Sequence, residues 1–272
     1  MDSLEFRRRV LKGDKLIGAF LNTGSPTIAE IAGVCGLDWC LLDMEHGSGS
    51  WEMLAYQLMA LHGSGAAPIV RLPSIDNVYF KRALDLGAWG LMLPNVNTAA
   101  EAENAVAFSR YPPRGTRGVS SVNRGARYGI QFDEQLKNAH LSTLIIAQIE
   151  SPLALENLEE IASVDGVDAL FVGPADLSVT MGIPKQFEHP DFLEAIGATV
   201  RAASRSGKAS GILGFTESDI QRYYTLGFSL VAVGSDAGMV AKGFNSLVAT
   251  SRQYRQRLFY PCPSSPTRRV SI

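Results

Sequence analysis

Leu144-Ile-Ile-Ala-Gln-Ile-Glu150, then Pro152-Leu-Ala-Leu-Glu-Asn-Leu-Glu-Glu-Ile161, then Ala169-Leu-Phe-Val-Gly173 is the stretch whose reading decides the fold. Two short runs, apolar on both faces, bracket a run with apolar residues at helical spacing. Strands of that kind are buried on both sides, and a helix between them makes them parallel. The same alternation extends outward. Strand-like runs fall at 16–21, 39–43, 68–71 and 90–93 upstream, and at 209–213 and 230–233 downstream. Helix-like runs at 50–62, 78–86, 98–109, 190–206 and 216–226 separate them. Eight strand–helix units in a chain of 272 residues predict an α/β fold of the (β/α)8 TIM-barrel type, with one domain over 1–259. A doubly wound sheet is the competing arrangement. No Gly-x-Gly-x-x-Gly or Walker-type loop follows any of the strands, which disfavours it.

Composition narrows the function. With 46% hydrophobic and 19% charged residues the chain can bury a large core, and its net charge of −2 supplies no field for nucleic acid or anionic membrane. A small-molecule substrate fits better. The cysteines, Cys35, Cys40 and Cys262, make no disulfide framework, and no run of about 18 apolar residues exists, so the expectation is a cytoplasmic protein. The Pro- and Ser-rich segment 260–272 reads as a disordered tail. One long connection, 111–142, carries Arg114, Arg117, Arg124 and Arg127 among glycines and prolines; it suits either an acidic ligand or a subunit contact.

In such barrels the chemistry sits where the strands end. Those ends read Asn22, then Asp43, Glu45 and His46, then Arg71, Pro94 and Asn95, Gln148 and Glu150, Gly173 to Asp176, and Gly234 to Asp236. The opposite rim shows mostly small residues, such as Gly36, Ala66 and Gly87. Glu150 closes a buried strand and needs a cation, either a nearby arginine or a metal. Asp176 would stand on the adjacent strand end with the same need, or serve as a helix N-cap. Two carboxylates without a cysteine or histidine cluster describe a hard oxygen site suited to Mg²⁺ or Mn²⁺. His46 follows Asp43, which could orient the imidazole as a general base. Arg71 could hold an enolate oxygen. The N–H groups of Gly173, Ala175 and Asp176 could cradle a carboxylate.

Together the stretches Asp43-Met-Glu-His46, Val70-Arg71-Leu-Pro73, Ala83-Leu-Asp85-Leu-Gly-Ala88, Pro112-Pro-Arg-Gly-Thr-Arg-Gly118, Gln148-Ile-Glu150 and Gly173-Pro-Ala-Asp-Leu-Ser178 resemble the HpcH/HpaI family of class II pyruvate aldolases. The resemblance spans about residues 15–250. It implies that Glu150 and Asp176 hold the divalent metal, Mg²⁺ or Mn²⁺ with Co²⁺ also admissible. It implies that Arg71 meets the keto or enolate oxygen, that His46 with Asp43 moves protons, and that Gln148, Gly173 and Ala175 bind the substrate. It implies a homohexamer, a trimer of dimers, in which Asp85 reaches a neighbouring site. The implied reaction is reversible cleavage of a 4-hydroxy-2-oxo acid to pyruvate and an aldehyde. On the acceptor side, Phe20 stands where the resemblance leads one to expect Trp, and Leu213 lies within Ile212-Leu-Gly-Phe215.

Three rivals remain. An imine-forming aldolase needs a lysine at a strand end, and Lys208 precedes the seventh strand, on the wrong rim. A related lyase or decarboxylase would act on oxaloacetate or a citramalyl- or malyl-type thioester. A catalytically silent barrel would have no use for charges at one buried rim.

Overall fold

The computed structural model describes residues 1–259. Eight parallel strands close into a barrel in sequence order: β1 Leu16–Leu21, β2 Trp39–Asp43, β3 Ala67–Arg71, β4 Gly90–Leu93, β5 Leu144–Ile149, β6 Ala169–Val172, β7 Ala209–Gly214 and β8 Leu230–Ser235. The helices are α1 Ser3–Lys12, α2 Pro26–Val34, α3 Trp51–Ala60, α4 Asn77–Asp85, α5 Ala99–Ser109, α6 Phe132–Ser142, α7 Pro152–Glu156, α8 Leu158–Ser163, α9 Pro174–Thr180, α10 Pro190–Arg205, α11 Glu217–Leu226 and α12 Asp236–Phe259. The expected strands are all present, shifted at most by a residue or two. The chain divides into two compact units, Met1–Asp236 and a second beginning at Ala237. The 260–272 segment expected to be disordered, with Cys262, lies outside the described residues. No helix among the described residues is long and apolar enough to cross a membrane.

The period of two along a strand sorts the core into layers. Leu16, Phe20, Trp39, Leu41, Ala67, Ile69, Met92, Leu144, Ile146, Ala169, Phe171 and Leu230 fill the barrel. Their neighbours, such as Leu42, Val70, Leu91, Ile145 and Leu170, pack outward under the helices. Trp39 and Phe171 meet edge to face inside, with centroids 6.1 Å apart. Gly18 and Gly211 make room for them, because a Cβ at either position would run into the indole of Trp39 or the ring of Phe171. α1 plugs the amino-terminal end of the barrel with Phe6 and Val10. Arg7 then fastens that plug, donating to both oxygens of Asp168 at 2.7 and 3.0 Å.

Three local expectations change. The run expected as one helix over 152–161 is two, α7 and α8, broken at Asn157, whose amide turns away to donate to the Asn97 carbonyl at 2.8 Å. The long 111–142 connection is not all loop, since α6 occupies its final third. Asp176 is not an N-cap: Gly173 holds that position, and Asp176 sits in the first turn of α9.

Candidate active site

Strand phase brings the polar residues together. Stepping by two from the barrel-filling residues, Trp39 and Leu41 lead to Asp43, Ala67 and Ile69 to Arg71, Leu144 and Ile146 to Gln148 and Glu150, and Ala169 and Phe171 to Gly173. The same step leads from Leu16 through Phe20 to Asn22. These positions therefore stand over the carboxyl end of the barrel, on the inward phase.

Asp43 and Arg71 face each other in register on β2 and β3. The guanidinium grips the carboxylate with two bonds, Nε to Oδ1 at 2.9 Å and Nη2 to Oδ2 at 2.6 Å. Its third nitrogen, Nη1, lies 3.2 Å from Glu45 Oε2. The Phe20 ring lies beneath it, 5.2 Å from centroid to guanidinium carbon. Asp43 also accepts the main-chain N–H groups of Glu45 and His46 and the Asn22 amide. Burial alone would raise the Asp43 pKa, but Arg71 and the His46 and Glu45 N–H groups outweigh it and hold the carboxyl below its usual range.

Glu150 is in the opposite condition. It is 3% exposed, takes the Asn95 N–H on Oε1 at 2.7 Å and the Gln148 amide on Oε2 at 2.6 Å, and has no cation in direct contact among the described residues. The left-handed backbone of Asn95 (φ 53°) aims that N–H. Burial, and then repulsion from Asp176 and Glu45, push the Glu150 carboxyl up to about 7, only partly offset by the Asn95 N–H and by Arg71. The sequence left open whether an arginine or a metal answers Glu150. Arg71 gives its hydrogen bonds to Asp43 and Glu45 instead.

Four carboxylates, those of Asp43, Glu45, Glu150 and Asp176, thus act on one another around a single buried guanidinium. That surplus of negative oxygen fits a hard divalent cation. The buried Gln148 Oε1, which has no hydrogen-bond partner among the described residues, adds a neutral oxygen donor. Among the described residues no three His, Cys, Asp or Glu side chains are grouped to hold a metal by themselves. Glu150 and Asp176 are the residues that would hold such a cation.

Other expected residues fall as follows. The pairing of Asp43 with the His46 imidazole does not occur, because both Asp43 oxygens are occupied by Arg71, Asn22 and the main chain of the turn. The imidazole is largely exposed, with Nε2 at 3.8 Å from Glu45 Oε2. The Gly173 N–H is not free for a ligand, since it donates to the Ile149 carbonyl at 3.2 Å. What Gly173 contributes is space: a Cβ there would meet Glu150 Oε2 and Gln148 Nε2. Ala175 and Asp176 lie in the first turn of α9, where N–H groups have no acceptor within their own helix. Leu213 is half-buried at the end of β7 against the barrel interior. Asp85 ends α4 on the amino-terminal side of the barrel, bonded to Arg117 at 2.8 Å, so this chain does not bring it to its own site. Lys208 caps the carbonyls of Val164 and Val167, away from this rim. Sequence reasoning noted Asn22 and Glu45 at the rim without giving them a part; the step of two from Phe20 would have singled out Asn22.

The HpcH/HpaI aldolase/citrate lyase family model matches residues 16–243. The 5-keto-4-deoxy-D-glucarate aldolase of Salmonella arizonae is 41% identical over 237 residues, covering 87% of this chain and 92% of that protein. Among solved structures, an HpcH/HpaI aldolase/citrate lyase family protein from Burkholderia cenocepacia superposes with a TM-score of 0.87 at 33% identity, covering 91% of this chain and 99% of that one. An HpcH/HpaI aldolase from Desulfitobacterium hafniense gives 0.85 at 29% identity, covering 90% and 95%. By sequence and by fold, this chain belongs to the HpcH/HpaI aldolase/citrate lyase family.

Proposed function

We propose that the chain is a divalent-metal-dependent pyruvate aldolase, a carbon–carbon lyase that reversibly cleaves a 4-hydroxy-2-oxo acid to pyruvate and an aldehyde. The substrate class is a 2-oxo-3-deoxy sugar acid or a 4-hydroxy-2-oxo dicarboxylate, in keeping with the keto-deoxy-glucarate named for the Salmonella relative. The observation that carries the reading is Glu150, a buried carboxyl beside Asp176 with no cation in contact among the described residues. Glu150 and Asp176 would hold Mg²⁺ or Mn²⁺, with Co²⁺ also admissible, and the bound ion would supply Lewis-acid polarisation of the 2-oxo group.

The chain's own residues do the rest. Ala175 and Asp176 offer N–H groups to the substrate carboxylate, Gly173 leaves it room, and Gln148 lines the same wall. Arg71, immobilised by Asp43, presents fixed positive charge where the 2-oxo oxygen becomes negative. His46 takes the C4 hydroxyl proton as the C3–C4 bond breaks. The electron pair passes to C3, the aldehyde leaves, and protonation of C3 completes pyruvate. Leu213 borders the aldehyde.

Proton NMR of pyruvate in D2O, with Mg²⁺ and again with EDTA, tests this. Metal-dependent loss of the methyl signal is expected. No exchange in either condition would overturn the pyruvate reading in favour of a thioester lyase, an oxaloacetate decarboxylase or a silent barrel.

We further propose a homohexamer, a trimer of dimers, in which Asp85 serves a neighbouring site. The exposed Phe244, Leu247 and Val248 of α12 support self-association. Analytical ultracentrifugation checks the state. A cytoplasmic location agrees with the free thiols of Cys35 and Cys40.

A further inference from the structure

Asn22 is tied to three other parts of the barrel at once. Its main-chain N–H donates to Asp236 Oδ1 at 2.8 Å, across the seam where β1 meets β8. Its carbonyl accepts the Ser48 N–H at 2.9 Å, on the loop that carries His46. Its side-chain Nδ2 donates to Asp43 Oδ2 at 2.5 Å, the oxygen that also receives Arg71 Nη2. The neighbouring Thr23 belongs to the same seam but not to the same target. It gives its N–H and hydroxyl to Asp236, and its carbonyl receives the Ser48 hydroxyl at 3.1 Å. Of the two, Asn22 is the one whose side chain reaches the carboxylate that orients Arg71.

We propose that Asn22 is a positioning residue for the reaction: its amide fixes the Asp43 carboxylate, and through it the angle at which Arg71 meets the substrate oxygen. Asp43 Oδ1 is held by Arg71 Nε and by the main-chain N–H groups of Glu45 and His46, whereas Oδ2 receives the Asn22 amide and Arg71 Nη2. With both in place the carboxylate has one orientation. Without the amide, Oδ2 keeps Arg71 Nη2 while Oδ1 stays anchored, so the carboxylate tilts about Oδ1 and the Nη2 bond to Arg71 loosens. An anchored arginine already lies where charge will develop, whereas a loosened one must be ordered during the reaction. The loss therefore belongs to the transition state more than to substrate binding. The inference rests on the aldolase reading for its kinetic consequence, but not for its geometry.

Three variants of the full chain separate positioning from structure. Asn22→Ala removes the amide. Asn22→Asp keeps its shape while replacing the donor with a carboxylate that repels Asp43. Thr23→Val removes a seam hydroxyl without touching Asp43. Pyruvate methyl exchange with saturating Mg²⁺ should show kcat reduced about ten- to a hundredfold for Asn22→Ala, with KM within about twofold of the parent. Asn22→Asp should lose at least as much while remaining folded. Thr23→Val should lower the melting temperature and leave kcat unchanged. A kcat for Asn22→Ala within about twofold of the parent, or an equal loss in Thr23→Val, overturns the proposal. If the parent exchanges no pyruvate protons, the aldolase reading fails separately. The positioning claim is then decided by the Arg71 Nε–H resonance of ¹⁵N-arginine-labelled protein, assigned with Arg71→Lys. Displacement or faster solvent exchange of that signal in Asn22→Ala supports the claim, and an unchanged signal refutes it.

Discussion

The two rims of the barrel handle charge in opposite ways. On the amino-terminal rim, partners are provided: Arg7 with Asp168, Arg9 with Asp14 and Asp38, Arg117 with Asp85, and Lys15 and Lys208 with main-chain carbonyls. On the carboxyl rim, four carboxylates surround one buried arginine, and among the described residues Glu150 is met by N–H donors alone. Paired charge of the first kind contributes to holding the fold. Unpaired charge of the second kind is destabilising in a resting protein, and it is retained where a cationic ligand can resolve it.

That contrast can be broken experimentally. The largest expected effect is at the unbalanced rim: Glu150→Ala or Asp176→Ala should remove turnover altogether and abolish Mg²⁺ or Mn²⁺ binding by isothermal calorimetry, with the melting temperature not lowered. Retained metal-dependent turnover would remove these residues from the metal site. Arg71→Ala should follow, with kcat reduced about 10²- to 10³-fold as a fixed positive charge at the developing oxyanion is lost.

The third effect is on stability and carries a sign. Native Glu150 titrates near 7 against an ordinary value of 4.5, so between those values the folded chain binds more protons than the unfolded one. The Glu150 contribution therefore falls as pH rises through that window, by about 3 kcal/mol in the metal-free protein. Melting curves against pH should show it. Glu150→Gln should flatten the slope, and saturating divalent cation should reverse it by favouring the ionised form. The smallest effect belongs to the balanced rim. Arg7→Ala should cost about 2 kcal/mol in urea unfolding, because the buried Asp168 loses its charged partner and keeps the Ile145 N–H, while kcat per folded molecule is unchanged.

Much of this was legible in the chain. The eight strands announced themselves because parallel strands buried on both faces are apolar at every position. α2 and α9 did not, being short segments that open on Pro26 and Pro174 and carry little helical pattern of their own. The metal-ligand candidates were readable from single residues, since a charge ending a buried run is conspicuous wherever the barrel closes. The partner of Asp43 was less so. His46 lies three residues away in the chain and Arg71 twenty-eight, yet strand register places Arg71 opposite Asp43, while the tight turn gives it only the main chain of His46. Proximity in sequence misled here because sheet pairing, not chain distance, sets the neighbour. Glu45 escaped for a similar reason: its contact with Arg71 depends on how that turn folds back.

The shared strand phase of Asn22, Asp43, Arg71, Gln148, Glu150 and Gly173 also constrains how such a protein can diverge. Inserting or deleting one residue within β2, β3 or β5 would exchange the inward and outward sets of that strand and carry its polar end out of the barrel. The carboxyl end of the barrel can therefore accumulate substitutions but not length changes in its strands. Lineages that acquire new aldehydes are left to vary the loops beyond the strand ends, where an added residue alters the walls around the substrate and leaves the alternation beneath undisturbed.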